Sequence, residues 1–158
     1  MTDKPSDIGA DLHAHRTEYQ RAELQRAELD ANPLSMFSQW LEQAQNSGML
    51  DATAMTLATS TTTGMPSARI VLLKQFDSDG FCWYTGYESR KGKELAENPH
   101  AALLFYWSAL ERQIRIEGKV EKVTPQQSDQ DFKSRPPGSQ FSAATSCLLY
   151  TSPSPRDS

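Results

Sequence analysis

After Asp51 the hydrophobic pattern of the chain changes from a helical period to the two-residue period of β-strands. The clearest example is the segment 112–123, where Ile114 and Ile116 alternate with polar residues, as in a sheet with one solvated face. Asp-Ser-Asp-Gly at 77–80 is a strong hairpin signal. We predict strands at 54–59, 68–76, 81–85, 101–107 and 112–123. Antiparallel strands joined by hairpins, with helices at the ends, predict a mainly β protein with flanking helices (α+β), built on a small closed β-barrel.

Helical segments are expected before, between and after these strands. The best defined has a core stripe that Gly48 terminates, formed by Leu34, Phe37, Trp40, Leu41 and Ala44. The segment 11–30 is compatible with a helix but polar nearly all round, so it must lie on something to stay ordered. Further helices are predicted at 89–97 and, beginning at Thr124-Pro125, at 124–133.

Charge and composition narrow the function classes. The formal net charge of −4 gives no electrostatic case for general binding to nucleic acids or to anionic membranes. No apolar run approaches the ~20 residues that span a bilayer, and the first residues lack a signal-peptide pattern, so a cytoplasmic protein is expected. Two cysteines make no disulfide framework, and Cys82 is predicted to be a buried, inert thiol. The three histidines lack partners at ligand spacing, so no metal site is predicted.

Two charged motifs are candidates for anion binding. In 69–74, alternation places Arg69 with Val71 and Leu73 on one face and Lys74 with Ile70 and Leu72 on the other. These end cations either snorkel at the barrel rim or reach toward an anionic ligand. In 89–93, Ser89 resembles an N-cap followed by cations where the helix dipole favours acids. A phosphate would satisfy those cations and the free N–H groups; the alternative is plain surface charge.

A third segment, 134–140, is rigid and irregular and offers Arg135 and the hydroxyl of Ser139, although an ordinary loop is the alternative. Aromatic side chains could line a flavin pocket, but core packing explains them as well. They are Tyr84, Tyr106 and Trp107.

Five motifs occur in the order and spacing of the pyridoxine 5′-phosphate oxidase family, and the resemblance covers about residues 16–146. The motifs are 69–74 (RIVLLK), 84–85 (YT), 89–91 (SRK), 110–113 (LERQ) and 134–136 (SRP). The resemblance implies an FMN-binding split β-barrel and a homodimer with FMN at the subunit interface. The implied reaction is the oxidation of pyridoxamine or pyridoxine 5′-phosphate to pyridoxal 5′-phosphate, with oxygen as acceptor and hydrogen peroxide as product.

The resemblance also implies roles for individual residues. The FMN contacts would be Arg69, Ile70, Val71, Leu72, Leu73, Lys74, Tyr84, Thr85, Arg90, Lys91 and Gln113. Among them Arg69, Arg90 and Lys91 would hold the phosphate, and Gln113 would hydrogen-bond the flavin. The substrate contacts would be Arg16, Tyr19, Lys74, Arg135 and Ser139. No side chain is assigned as catalytic, because the flavin itself accepts the hydride.

The chain departs from the family in two places. Asp131 stands where the family usually has a tyrosine that contacts the substrate phosphate, and an acid there repels phosphate unless Lys133 or Arg135 neutralises it. The family's Trp-Gly-Gly strand and Arg-x-His-x-x-Arg segment do not occur. Residues 147–158 instead resemble one reading frame of a transposase-end sequencing adapter, so a non-native tail is expected there.

We therefore expect a polar N-terminal arm (1–30), a split-barrel domain incomplete at its C-terminus (31–146), and this tail (147–158). The barrel would lack its closing strand and leave an unpaired edge. The tail would not replace that strand, since Pro153 and Pro155 lack the N–H groups for pairing. Two rival functions stay open: a non-catalytic module that binds flavin or pyridoxal phosphate, and a flavin reductase with a nicotinamide or deazaflavin donor.

Overall fold

The computed structural model describes residues 9–14, 18, 25–123 and 146–150, the last of these as backbone alone. It is a mainly β structure with two α-helices, as predicted. The helices are α1 (Pro33–Asn46) and α2 (Arg90–Glu97). The strands are β1 (Ala54–Ser60), β2 (Pro66–Leu72), β3 (Gln75–Asp77), β4 (Gly80–Tyr84), β5 (His100–Trp107), β6 (Arg112–Lys122) and β7 (Ser146–Tyr150). Short 3-10 turns occupy Arg26–Glu28 and Ser108–Leu110.

The strands form one seven-stranded sheet in the order β2-β1-β5-β6-β7-β4-β3, and every neighbouring pair is antiparallel. The two end strands of that order, β2 and β3, are consecutive in the chain and are linked by Leu73 and Lys74. The Leu73 N–H donates to the Thr53 carbonyl beside β1 (2.9 Å), and the Lys74 N–H donates to the Cys82 carbonyl in β4 (2.9 Å). The sheet therefore curls until its two ends meet at this link. The barrel is split rather than closed by a continuous ladder, since no pairing joins β2 to β3 in the described part of the chain.

Helix α1 covers the aromatic part of the core. It begins where the Asn32 side chain accepts a hydrogen bond from the Leu34 N–H (3.0 Å), with Pro33 at the first helical position. It ends at Asn46, and Gly48 follows with a φ of +80°, the left-handed backbone that glycine allows. Phe37 lies edge-on to two strand residues, Phe76 (centroids 4.9 Å apart) and Phe81 (5.0 Å). The predicted helical stripe is thus confirmed as the face that packs on the sheet.

The structure corrects two predicted segments. The strand predicted at 68–76 is two strands, because the chain leaves β2 after Leu72 to hydrogen-bond to different neighbours on its way to β3. The helix predicted at 11–30 is absent from its described residues, which form a turn at 13–14 and the 3-10 turn Arg26–Glu28. Among the described residues of this segment, Leu12 and Leu29 are exposed and so form no buried apolar face that would hold a helix. The helix predicted at 124–133 lies outside the described residues.

The expected unpaired edge is also wrong, because β7 fills the place between β4 and β6. Its backbone pairs Cys147 with Trp83 on one side and with Lys122 on the other. The hydrogen bonds of these ladders join main-chain N–H and C=O groups, which every residue of β7 carries. The strand therefore gives no argument about the origin of residues 147–158, and the non-native tail stays a prediction. No helix among the described residues is both long and apolar enough to cross a bilayer.

Candidate functional site

Arg69 lies on the inner face of β2 and is held there by hydrogen bonds. Its side chain is only 22% exposed. Nη1 donates to the Thr59 hydroxyl (2.6 Å) and the Leu57 carbonyl (3.3 Å), and Nη2 donates to the Ser67 hydroxyl (2.6 Å). Snorkelling at a rim therefore does not describe Arg69. It does fit Lys74, which is exposed beyond the end of the strand.

A buried carboxylate, Glu94 of α2, lies at the centre of this group. Its side chain is 6% exposed. Oε2 accepts hydrogen bonds from the hydroxyls of Thr59 (2.5 Å) and Ser67 (2.6 Å) and lies 3.7 Å from Nη2 of Arg69. Oε1 accepts a hydrogen bond from Nε of Arg90 (3.1 Å). Two of the predicted cations, from a strand and from a helix, are thus brought to one carboxylate.

These contacts keep Glu94 ionised at neutral pH. The hydrogen bonds from Ser67 and Thr59, followed by the hydrogen bond and charge of Arg90, lower the pKa of Glu94 to about 2. They outweigh the effect of burial, which acts in the opposite direction. At neutral pH the two arginines therefore surround an ionised carboxylate.

Sequence reasoning missed Glu94. A signal was present, because Arg90 and Glu94 are spaced i, i+4 on one helix, where opposite charges meet. An acid in the polar segment 89–97 nevertheless looks like a surface residue. Its burial follows from the packing of α2 against β1 and β2, which local sequence does not reveal.

The beginning of α2 has the capped geometry expected from the sequence. The Ser89 hydroxyl accepts a hydrogen bond from the Gly92 N–H (3.2 Å) and donates to the Gly86 carbonyl (2.5 Å). The first turn contains Arg90 and Lys91 and no acid. The N–H groups of Arg90 and Lys91 lack acceptors within the helix, so side-chain charge and helix dipole both favour an anion at this point.

Thr85 follows β4 and carries an unsatisfied buried hydroxyl. The residue is 2% exposed, and its Oγ1 has no hydrogen-bond partner within the described residues. Leaving such a group unpaired costs free energy, so a partner from outside the described residues, such as a bound ligand, is expected. Tyr84 precedes it and is half-buried, with Nζ of Lys74 5.8 Å from its ring centroid.

Gln113 lies on a different face of the sheet from Arg69. It is exposed on β6 and pairs with Tyr106 of β5. Cross-strand neighbours place both residues on the same face as Ile70, whereas Arg69 points to the opposite face. One chain therefore does not gather all the predicted FMN contacts into one cluster.

The other predicted contacts are distributed as follows. Leu72 shares the exposed face of Ile70, Val71 shares the inner face of Arg69, and Leu73 is buried in the core. Four of the predicted substrate contacts lie outside the described residues, namely Arg16, Tyr19, Arg135 and Ser139, as does the departure at Asp131.

Comparison with known proteins identifies the family of the chain. A family profile described as pyridoxamine 5′-phosphate oxidase matches residues 41–158. A pyridoxine/pyridoxamine 5′-phosphate oxidase of Burkholderia thailandensis is 53% identical over 128 residues. That match covers 81% of this chain and 60% of the relative, so the chain spans about three-fifths of that relative's length.

Two solved structures show the same fold. PhzG from Burkholderia lata 383, in complex with tetrahydrophenazine-1-carboxylic acid, superposes with a TM-score of 0.67 and 29% identity over 70% of this chain and 55% of its own. A pyridoxamine 5′-phosphate oxidase-related, FMN-binding protein from Nostoc punctiforme has a TM-score of 0.57 and 18% identity, covering 78% of this chain and 82% of its own. The fold is that of the FMN-binding split barrels, and the chain belongs to the pyridoxamine 5′-phosphate oxidase family.

Proposed function

We propose that the complete protein oxidises pyridoxamine 5′-phosphate or pyridoxine 5′-phosphate to pyridoxal 5′-phosphate, with FMN as cofactor and oxygen as acceptor. The amine substrate would consume water and oxygen and release ammonia and hydrogen peroxide. The alcohol substrate would consume oxygen and release hydrogen peroxide. The observation that carries the proposal is the meeting of Arg69 and Arg90 at the carboxylate of Glu94, in a chain 53% identical to a named oxidase.

The described residues fit both the phosphate end and the ring end of FMN. A phosphate needs cations and N–H donors, which Arg69, Arg90, Lys91 and the first turn of α2 supply. The buried hydroxyl of Thr85 needs a polar partner, and the polar edge of a flavin offers donors and acceptors. Gln113 would hydrogen-bond the flavin from the exposed face of the sheet.

When bound, the flavin supplies the acceptor for the hydride that leaves the substrate carbon. The protein's part is to bind and to orient. The FMN phosphate would be fixed by the cations near Glu94. Lys74, exposed beyond β2, would contact the substrate as well as the cofactor. Arg16, Tyr19, Arg135 and Ser139 are proposed to hold the substrate, on the resemblance alone.

A homodimer would complete this site. Ile70 (65% exposed), Leu72 (39%) and Tyr106 (60%) form an apolar patch on the outer face of the sheet, the face that carries Gln113. Because Arg69 and Gln113 lie on opposite faces, we propose that the two groups reaching one FMN come from two subunits. A second copy of the chain covering the patch would bring its own Gln113 to the flavin.

The test is production of pyridoxal 5′-phosphate from each phosphorylated substrate by the chain extended past Ser146 with the C-terminal part of a full-length relative. Product and hydrogen peroxide in equal amounts, dependent on FMN, are expected. FMN binding without product would favour the non-catalytic module, and flavin reduction by a nicotinamide would favour the reductase. The 158 residues alone are expected to show no appreciable activity, because the missing segments carry flavin and substrate contacts in the family.

A further inference from the structure

Glu94 is an unexpected group beside a proposed phosphate site. Coulomb's law makes a carboxylate there repel a phosphate. The pair Arg90–Glu94 is also half exposed, since the Arg90 side chain is 66% exposed, so the pair by itself adds little stability. The contacts of Glu94 nevertheless fix the donors of both arginines.

The first effect is on Arg90. Oε1 of Glu94 takes the Nε–H of Arg90 (3.1 Å). A guanidinium has five N–H donors in a fixed plane. The four on its terminal nitrogens have no hydrogen-bond partner in the described part of the chain, and their plane is set by the Nε contact. Arg90 is thus oriented while its two-pronged end stays available.

The second effect is on Arg69, through two hydroxyl groups. A hydroxyl has one hydrogen and two lone pairs. Because Thr59 and Ser67 both donate to Oε2 of Glu94, their lone pairs are left to accept from Nη1 and Nη2 of Arg69. Glu94 therefore sets the direction of the hydrogen bonds of both hydroxyls, so that each accepts from the Arg69 guanidinium.

The charges also balance. Arg69 and Arg90 with ionised Glu94 leave one net positive charge in this cluster, and Lys91 adds a second in the first turn of α2. A phosphate monoester carries about −1.5 to −2 at pH 7. Without the carboxylate, Arg69 and Arg90 would lose the anion that both approach and would repel each other.

From these contacts we propose that Glu94 is a positioning residue, which holds Arg69 and Arg90 in the orientation that binds the FMN phosphate. This inference rests on the proposed binding of FMN. It differs from a purely structural role, in which Glu94 only attaches α2 to the sheet. It also differs from simple electrostatics, which predicts that removing the acid strengthens phosphate binding.

The test compares FMN with riboflavin, which lacks the phosphate, by flavin fluorescence titration of the chain extended past Ser146, in which the missing flavin contacts are present. Glu94→Gln keeps the size of the side chain but removes its charge and half of its acceptors. We expect FMN affinity to fall about tenfold or more, the scale of one charge-assisted hydrogen bond. Riboflavin affinity should change less than about twofold on the same scale. Glu97→Gln, an exposed change on the same helix, is the matched control and should alter neither.

Unchanged or tighter FMN binding by Glu94→Gln would overturn the proposal, and so would an equal loss for both flavins. If this variant does not fold, Ser67→Ala replaces it, since it removes one donor to Glu94 and one acceptor of Arg69. It should weaken FMN binding and leave riboflavin binding intact, and equal effects on the two flavins would count against the inference.

A second measurement separates this inference from the proposed function. Absence of FMN binding by the chain extended past Ser146 would contradict the cofactor assignment. The side-chain Nε–H signals of Arg69 and Arg90, followed by NMR during titration with inorganic phosphate, then test Glu94 alone. Both signals should shift in the unchanged chain and in Glu97→Gln, and much less in Glu94→Gln. Equal shifts in Glu94→Gln, or no shift in the unchanged chain, would overturn the positioning role.

Discussion

Arg69 combines two contacts at one position, since it donates to the hydroxyls of the sheet and places its charge near Glu94 of α2. Arg69→Ala should weaken FMN binding by about 1.5–3 kcal/mol, the range for a hydrogen bond to a charged group. It should also lower the free energy of unfolding, because buried Glu94 loses a neighbouring cation. Fluorescence titration and urea denaturation measure the two effects.

Arg90→Ala is the useful comparison for that prediction. Its side chain is 66% exposed, so the loss of FMN affinity should be similar while the loss of stability stays within ~1 kcal/mol. Unchanged FMN affinity in both variants would remove these arginines from the phosphate site.

The pKa of Glu94 predicts how stability depends on pH. The carboxyl has a pKa of about 2 in the folded chain against an ordinary 4.5, because Ser67, Thr59 and Arg90 stabilise its ionised form. Its contribution to the free energy of unfolding is therefore complete above pH 4.5 and is lost as the pH falls toward 2. Urea denaturation should show a larger difference between the unchanged chain and Glu94→Gln at pH 6 than at pH 3. The same difference at both values would contradict the lowered pKa.

Several residues of this candidate site could be predicted from the sequence. Glu94 could not, for a physical reason. Arg69, Arg90 and Lys91 were found because cations at a strand end and at a helix start are unusual in sequence. Nothing in the local sequence distinguishes Glu94. It belongs to the site because the fold brings it into hydrogen-bond contact with Thr59, which is 35 residues away in the sequence. Contacts between separate elements are decided by the fold and leave little local trace.

At the scale of elements, strands were predicted well where their own sequence alternates between apolar and polar residues. They were predicted less well where long-range hydrogen bonds determine the strand ends. The signals for β4 and β6 lie within the strands themselves. The break after Leu72 depends on Thr53 and Cys82, which take the N–H groups of the next two residues. No pattern within 68–76 carries that information. Similarly, the apolar stripe predicted which face of α1 packs on the sheet. It did not predict which aromatic residues that face contacts.

Helix α1 should be the element most sensitive to a single core substitution. Phe37 is 4% exposed and packs against four aromatic residues: Phe76, Phe81, Phe105 and Trp107. Phe37→Ala should lower the free energy of unfolding by about 3–5 kcal/mol, through lost burial and the cavity that remains. Ser38→Ala, an exposed change one residue on, should stay within about 0.5 kcal/mol. Chemical denaturation measures both, and similar effects would show that the aromatic cluster is not the core.

At the scale of the whole molecule, the curled sheet separates two tasks. Its inner face holds the core and, at one end, the group around Glu94. Its outer face carries Gln113 beside exposed Ile70 and Tyr106. Such a division supports the proposal that a flavin contacting both Arg69 and Gln113 is bound between two subunits rather than inside one.

This arrangement predicts that assembly and cofactor binding are coupled through the outer face. Ile70→Asp places a charge in the middle of the apolar patch, where burial against a second copy would leave it without a partner. We expect the variant to be monomeric by analytical ultracentrifugation and to bind FMN at least tenfold more weakly, by the cost of burying an unpaired charge. Thr62→Asp, in the exposed turn between β1 and β2, is the control and should keep both the dimer and the affinity. Arg69→Ala should reduce affinity without changing the mass. A dimer that persists in Ile70→Asp, or an unchanged chain that is monomeric with full FMN affinity, would show that the flavin is not shared across this face.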